Sequence, residues 1–274
     1  MLTMTESDAA PQHFCPKIID MTAHKSKSTA VVSYRFQRYY PKLQTSHYLA
    51  VQTSQRQLSA HVTFLQGQTD GCCGLMVFLS LLVIFDLAKS SALENLSRRK
   101  HGIPALVWSA FSHTYFSGVH AHEFVALVDS LNLPLNLTLR ESKDGGLDRW
   151  VVACLMRGEL VAIVTANAKN SKSKHWSLAL GIEGLVAGRE TLPDTILLLD
   201  PSASEPSYRP HNSRLRVPIT GPGSRAGKAA DELSQSPKSK ATSKPIIWLY
   251  ESGDFATDQC RIVSAVRFRY ADWT

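Results

Sequence analysis

The sequence predicts an α+β fold in which a central helix, near the start of the domain, packs on a mostly antiparallel sheet. The helix is predicted from residues 72–89, an apolar segment with no polar face until Asp86, which indicates burial on all sides. The sheet is predicted from residue 135 onward, where the apolar runs shorten to strand length and become rich in Leu and β-branched residues. Helices followed by a run of strands are typical of α+β proteins.

The remaining elements follow from the same periodicities. Residues 30–62 predict two or three strands, residues 91–100 a second helix, and residues 120–131 a third. Residues 102–118 are rich in aromatic side chains and fit neither pattern. The other predicted strands are residues 135–139, 150–155, 160–165, 175–182, 195–199, 246–250 and 261–270.

The composition is that of a packed globular protein. Of the 274 residues, 44% are hydrophobic and 19% are charged, which excludes an intrinsically disordered chain. Residues 1–28 are rich in Ser, Thr and Lys and predict a flexible N-terminus. Residues 29–274 predict one domain, with a flexible insertion near 221–244 where Gly, Pro, Ser and Lys leave little to bury.

The charge distribution argues against a nucleic-acid-binding protein. The formal net charge is +7, but much of the excess lies in residues 98–101, 169–174 and 225–244. No basic surface interleaved with aromatic residues is evident, so solvated loops explain the charge and no nucleic-acid partner is predicted.

Cysteine usage and hydropathy predict a cytoplasmic protein. The five cysteines include no C-x-x-C pair, which favours free thiols in a reducing compartment. Residues 1–16 contain no apolar signal-peptide core, although export without a signal peptide stays open. The longest apolar run, residues 75–87, is too short to span a bilayer, so no membrane span is predicted.

Two adjacent cysteines are candidate nucleophiles. A cysteine attacks as its thiolate, and the start of a helix favours the thiolate through the aligned backbone dipoles. Cys72 and Cys73 both stand at that position, after a polar Gly-rich loop and before the apolar helix. The residue pattern alone leaves both open.

A thiolate also needs a histidine to move the proton and a third group to orient that histidine. His175 begins one predicted strand, and Asp200 ends the next. Antiparallel neighbours joined by a hairpin place these side chains at the same edge of the sheet. A glutamine amide with the Cys backbone N–H can stabilise the oxyanion of an acyl-transfer intermediate, and both Gln66 and Gln68 qualify by position.

A second cluster of polar residues, at 120–123, is a candidate metal site. His120, His122 and Glu123 resemble metal ligands, but helical residues two apart point in different directions and no third ligand is indicated. We therefore predict no metal and no cofactor.

Three runs, in this order along the chain, resemble the motifs of papain-like cysteine peptidases. They are Gln-Gly-Gln-Thr-Asp-Gly-Cys-Cys-Gly at 66–74, His-Trp-Ser-Leu-Ala-Leu-Gly at 175–181 and Leu-Leu-Leu-Asp-Pro at 197–201. They are most similar to the branch that includes the bacteriocin leader-processing (double-glycine) peptidases. The resemblance covers residues 60–205 and implies a papain-like fold. Residues 184–194 are longer than the corresponding stretch of that branch, which indicates an insertion between the His and Asp strands.

Carried over residue by residue, the resemblance implies Cys73 as the nucleophile, because Gly74 completes the Cys-Gly pair. It implies His175 as the general base and acid, and Asp200 as the residue that orients it. For the oxyanion donor we take Gln68, which lies one residue closer to Cys73 than the family's spacing. Gln66 is the alternative, since it has that spacing to Cys72.

The expected function is hydrolysis of a peptide or amide bond in a peptide or protein substrate, through a thioester intermediate. Two alternatives stay open. The same residues serve acyltransferases and transglutaminase-like enzymes, in which an amine replaces water, and a papain-like binding protein without turnover would keep the same fold. The sequence does not indicate the substrate, the cleaved bond or the oligomeric state.

Overall fold

The computed structural model describes residues 33–52, 59–67, 70–218 and 245–271. The predicted flexible N-terminus (1–28), the predicted insertion near 221–244 and Gln68 lie outside the described residues.

Four strands come first in the described chain, the five helices follow with one strand among them, and the last six strands complete it. The helices are α1 (Cys73–Ile84), α2 (Ser90–Leu93), α3 (Gly102–Phe111), α4 (Ala121–Ser130) and α5 (Leu147–Met156), with 3₁₀ turns at Leu96–Arg98, Ser112–Thr114 and Ser142–Asp144. The strands are β1 (Ser33–Tyr39), β2 (Leu43–Thr45), β3 (Leu49–Gln52), β4 (Ser59–His61), β5 (Leu135–Glu141), β6 (Leu160–Asn167), β7 (Lys174–Ala187), β8 (Glu190–Leu199), β9 (Ser213–Arg216), β10 (Trp248–Ser252) and β11 (Asp258–Tyr270).

Six strands close into an antiparallel barrel. The hydrogen-bonded order is β7-β6-β11-β10-β9-β8, and β8 pairs back onto β7. β1 and β5 extend the same sheet from β7 and β11, while β2, β3 and β4 form a separate three-stranded sheet. The predicted α+β class is therefore confirmed, and the sheet is antiparallel throughout the described residues.

Helix α1 is buried along almost its whole length and packs against β7. Eleven of its twelve residues are buried, as expected for a helix with no polar face. The helix ends at Ile84, earlier than predicted, because Asp86 takes the left-handed conformation with φ of 57°. A non-glycine residue in that conformation interrupts helical hydrogen bonding.

Alternating side chains of β6 divide between two cores. Leu160, Ala162 and Val164 face the core that contains α1, α3 and α4. Val161 and Ile163 face the second core, between the barrel strands and α5. Burial on both faces explains why this strand is an uninterrupted apolar run in the sequence.

Two predicted elements are wrong in type or extent. Residues 150–155, predicted as a strand, belong to α5. Leu147, Val151 and Leu155 recur every four residues and are all buried, a helical period that the β-branched run masked. The helix predicted over residues 91–100 is only the short α2 followed by a 3₁₀ turn.

The stretch 184–194 lengthens the β7–β8 hairpin. Both strands pair through it, from Gly184 opposite Pro193 to Ala187 opposite Glu190. The expected insertion between the His and Asp strands is therefore an extension of the hairpin, with a turn at residues 188–189 and a register shift beside Gly184. Among the described residues, no helix combines the length and hydropathy needed to cross a bilayer.

Candidate active site

Cys73 is the first residue of α1, and a tight loop sets its position. The Asp70 carboxylate accepts hydrogen bonds from the backbone N–H of Gly67 at 2.7 Å and of Cys72 at 3.4 Å. The N–H of Gly71 donates to the carbonyl of Tyr115 at 2.8 Å. These bonds fix the helix start, where the first backbone N–H groups have no intrahelical acceptor.

Two glycines allow this helix start to pack closely. A Cβ atom on Gly71 would lie 2.7 Å from the backbone N of Gly118, a distance that a side chain does not tolerate. A Cβ atom on Gly74 would lie 2.5 Å from Cγ1 of Val119 and 3.3 Å from the indole of Trp176. The Cys-Gly pair of the sequence therefore has a steric basis, because Gly74 seats the helix against β7.

The two cysteines have different surroundings. The thiol of Cys72 is 1% exposed and donates to Oδ1 of Asp70 at 2.9 Å. Burial, and next the Asp70 carboxylate, raise the pKa of Cys72 far above its usual value, which disfavours a thiolate there. Cys73 lines the open cleft together with His175, whereas Cys72 does not.

His175 lies at the start of β7, and its side chain is 29% exposed. Its Nε2 atom is 2.7 Å from Oδ1 of Asp200, and it lines the cleft together with Cys73, whose thiol donates to the carbonyl of Gly71 at 3.9 Å. Burial alone would lower the pKa of His175, but the Asp200 carboxylate, followed by the Cys73 thiol, raises it to about 10. Since Nε2 is taken by Asp200, Nδ1 is the nitrogen left for Cys73.

Asp200 follows β8 and is 1% exposed. Its Oδ1 also accepts the N–H of Ser202 at 2.8 Å, and its Oδ2 accepts the hydroxyls of Ser177 at 3.2 Å and Tyr250 at 2.8 Å. Burial by itself would raise the pKa of Asp200, but the charge of His175 and these donors hold it below its usual value. Asp200 is therefore held ionised beside His175.

Gln66 lies in the same cleft, which has a volume of about 520 Å³. Its backbone N–H donates to the carbonyl of Pro201 at 2.9 Å, which ties the loop before α1 to the turn after Asp200. Its Oε1 atom is buried and finds no hydrogen-bond partner among the described residues. Of the two candidate oxyanion donors, Gln66 is thus described beside Cys73, and Gln68 lies outside the described residues.

The histidines of the rejected metal site have other partners. His122 is 3.1 Å from Glu141, and Glu123 forms a capping box with His120 at the start of α4. Within the described parts of the chain, no group of three or more His, Cys, Asp or Glu side chains could hold a metal. The four described cysteines (Cys72, Cys73, Cys154 and Cys260) are free and buried.

Sequence reasoning missed three polar residues around Asp200. Ser177 had a usable signal, because it lies two residues after His175 and so on the same face of β7. Asn212 bonds both the N–H and the carbonyl of Asp200, at 2.7 and 2.8 Å. Asn212 directly precedes β9 and Tyr250 lies on β10, and the pairing of β8 with β9 and of β9 with β10 brings both to Asp200.

No protein-family model matches the chain, and no curated protein matches it. The function is therefore inferred from the residues and geometry of the site.

Proposed function

We propose that this protein is a papain-like cysteine peptidase that cleaves a peptide or amide bond through a thioester intermediate. The observation that carries the proposal is a chain of contacts in one cleft. Cys73 and His175 line this cleft together, the Cys73 thiol contributes to the raised pKa of His175, and His175 bonds to the buried Asp200. A nucleophile at a helix start, a histidine beside it and a group that orients the histidine are the parts this chemistry needs.

The protonation state of His175 fits the role of general acid and base. Because its pKa is raised to about 10, His175 is a cation at neutral pH. A cationic imidazole and a helix start are the surroundings in which cysteine nucleophiles act in enzymes. Asp200 binds Nε2 and so leaves Nδ1 as the ring nitrogen available to the sulfur.

The backbone N–H of Cys73 and the side-chain amide of Gln66 are suited to bind the oxyanion. An Nε2 donor aimed at a developing negative charge contributes on the order of 3 kcal/mol to the transition state. Gln66 is partly buried, and its backbone bond to Pro201 holds the loop that carries it beside the cleft. We assign this role to Gln66 in place of Gln68.

The reaction follows from these positions. The Cys73 thiolate forms a bond to the carbonyl carbon, the C–N bond breaks, and the leaving amine takes the proton from His175. A water molecule then attacks the acyl carbon through its oxygen and gives a proton to His175. The C–S bond breaks, which releases the carboxylic acid and the Cys73 thiolate.

The fold supports the family assignment within this proposal. A buried helix carries Cys73 at its start and packs against the barrel strand that carries His175. The order of the three sequence motifs supports the narrower assignment to the branch with the leader-processing peptidases. Free thiols at the four described cysteines support a reducing compartment such as the cytoplasm.

Cleavage of a peptide library, read by mass spectrometry, tests the proposal. We expect wild type and Cys72→Ser to cleave and Cys73→Ala to be inactive while keeping the wild-type circular dichroism spectrum. A wild-type protein that leaves the library intact, or a Cys73→Ala variant that still cleaves, contradicts the proposal.

A further inference from the structure

The proposed chemistry gives the cleft two distinguishable sides. The carbonyl oxygen of the scissile bond points toward Gln66 and the N–H of Cys73, which stabilise its charge. The leaving amine points toward His175, which protonates it. Side chains grouped around His175 therefore meet the part of the substrate that follows the scissile bond.

Two lysines lie on that side. Lys172 is in the loop between β6 and β7, and Lys174 immediately precedes His175; both are exposed and line the cleft. Neither forms an ion pair with a described residue. Asn167 and Asn170 hold the loop, since their side chains accept the N–H groups of residues 169, 170 and 172 at 2.8 to 3.2 Å.

The two acidic side chains that line the cleft already have hydrogen-bond or ion-pair partners. Glu141, which also lines the cleft, pairs with Lys143 and with His122. Asp70 accepts the two backbone N–H groups of its loop and the thiol of Cys72. Among the described residues that line the cleft, Lys172 and Lys174 are the cationic side chains without an ion pair, and beside His175 they favour an anion.

We propose that the substrate carries a carboxylate on the leaving-group side of the scissile bond, bound by Lys172 and Lys174. This inference rests on the proposed cysteine-peptidase function. The carboxylate belongs to an Asp or Glu side chain just after the cleaved bond or to the free C-terminus of a short leaving fragment. The two sources present the same group to the lysines.

The rates of Cys73 labelling by iodoacetate and iodoacetamide test the lysines without a substrate. The two reagents are similar in size and differ in charge, so their rate ratio reports the local potential. We expect Lys172→Ala/Lys174→Ala to lower the iodoacetate-to-iodoacetamide ratio on the order of threefold at low salt. The control Lys42→Ala/Lys89→Ala removes the same charge from exposed sites that do not line the cleft, and should leave the ratio unchanged.

The outcomes separate this inference from the proposed function. Fast labelling of Cys73 with a ratio that the cleft double variant does not change overturns the inference alone. Labelling no faster than that of free glutathione by either reagent overturns the proposed function, and the inference with it.

A peptide library with free or amidated C-termini distinguishes the two carboxylate sources. Asp or Glu enriched after the cut in both libraries assigns the carboxylate to a side chain. Cuts near the end that amidation abolishes assign it to the C-terminus. Cleavage with neither feature, or a preference that Lys172→Ala/Lys174→Ala keeps, overturns the inference.

Discussion

The hydroxyl of Tyr250 donates a 2.8 Å hydrogen bond to Oδ2 of Asp200, the oxygen that His175 does not use. Tyr250 lies on β10, on the far side of the barrel order from β7. The pairing of β10 with β9 and of β9 with β8 therefore brings a third element to the carboxylate that orients His175. Ser177 gives the same oxygen its second donor, so both carboxylate oxygens are occupied.

Tyr250→Phe removes that donor and leaves the ring in place. We expect the free energy of unfolding to fall by about 1–2 kcal/mol near neutral pH, because a buried carboxylate loses a hydrogen bond. The pKa of Asp200, held below its usual value by its donors, should rise toward that value. The difference from wild type should therefore shrink as the pH falls below the ordinary Asp pKa, which urea denaturation across pH 3–7 measures. Tyr208→Phe, on a ring that is 80% exposed, is the control and should change nothing.

The pair of His175 and Asp200 gives the protein a second pH dependence. The pKa of His175 rises from 6.5 to about 10 on folding, so its contribution to stability is complete below pH 6.5 and is lost as the pH rises through 10. Asp200→Asn removes the attracting charge. We expect the stability difference between wild type and Asp200→Asn to decline between pH 6.5 and 10 in urea denaturation. A difference that stays constant over this range means that His175 does not titrate as assigned.

Gly74→Ala tests the close packing of the start of α1 against Val119 and β7. The new methyl group would lie 2.5 Å from Cγ1 of Val119, so the helix start or Val119 must move. We expect a loss of about 1–3 kcal/mol of stability and slower Cys73 labelling. Gly253→Ala, where nothing lies within 4 Å of the added atom, is the matched control. Equal effects at both positions would show that the packing at Gly74 is not tight.

Gln66→Ala tests the oxyanion donor. We expect kcat on a cleaved peptide to fall by about 10²–10³ with little change in KM, because the donor acts on charge that develops in the transition state. The comparison is Gln68→Ala, which should keep near wild-type kcat. The reverse result, with Gln68 essential and Gln66 dispensable, would restore the sequence-based choice.

Much of the fold followed from local patterns. The α+β class, the buried helix after Cys72 and most strands of the second half were predicted because period and burial are properties of short segments. The strand predicted at residues 150–155 was wrong, since an apolar run with two valines resembles a strand until its four-residue spacing is considered. β9 was missed because it has only four residues, Ser213–Arg216, two of them arginines.

Part of the candidate site was also predictable from the sequence, and part was not. The hairpin argument predicted that the side chains of His175 and Asp200 meet, and Nε2 of His175 lies 2.7 Å from Oδ1 of Asp200. The residue pattern did not separate Cys72 from Cys73, and only the family resemblance favoured Cys73, because the difference in their surroundings is a tertiary one. The thiol of Cys72 donates a hydrogen bond to Asp70, whereas Cys73 lines the cleft together with His175. The barrel contacts of Tyr250 and Asn212 were beyond any local signal.

The most direct test is iodoacetamide labelling near pH 6, mapped by mass spectrometry on wild type, His175→Ala and Cys72→Ser. At this pH an ordinary thiol is almost fully protonated and reacts slowly. We predict fast labelling of Cys73 in wild type and Cys72→Ser, slow labelling in His175→Ala, and no labelling of the buried Cys72. Slow labelling of Cys73 that His175→Ala leaves unchanged, or fast labelling of Cys72 in its place, would contradict the proposed active site.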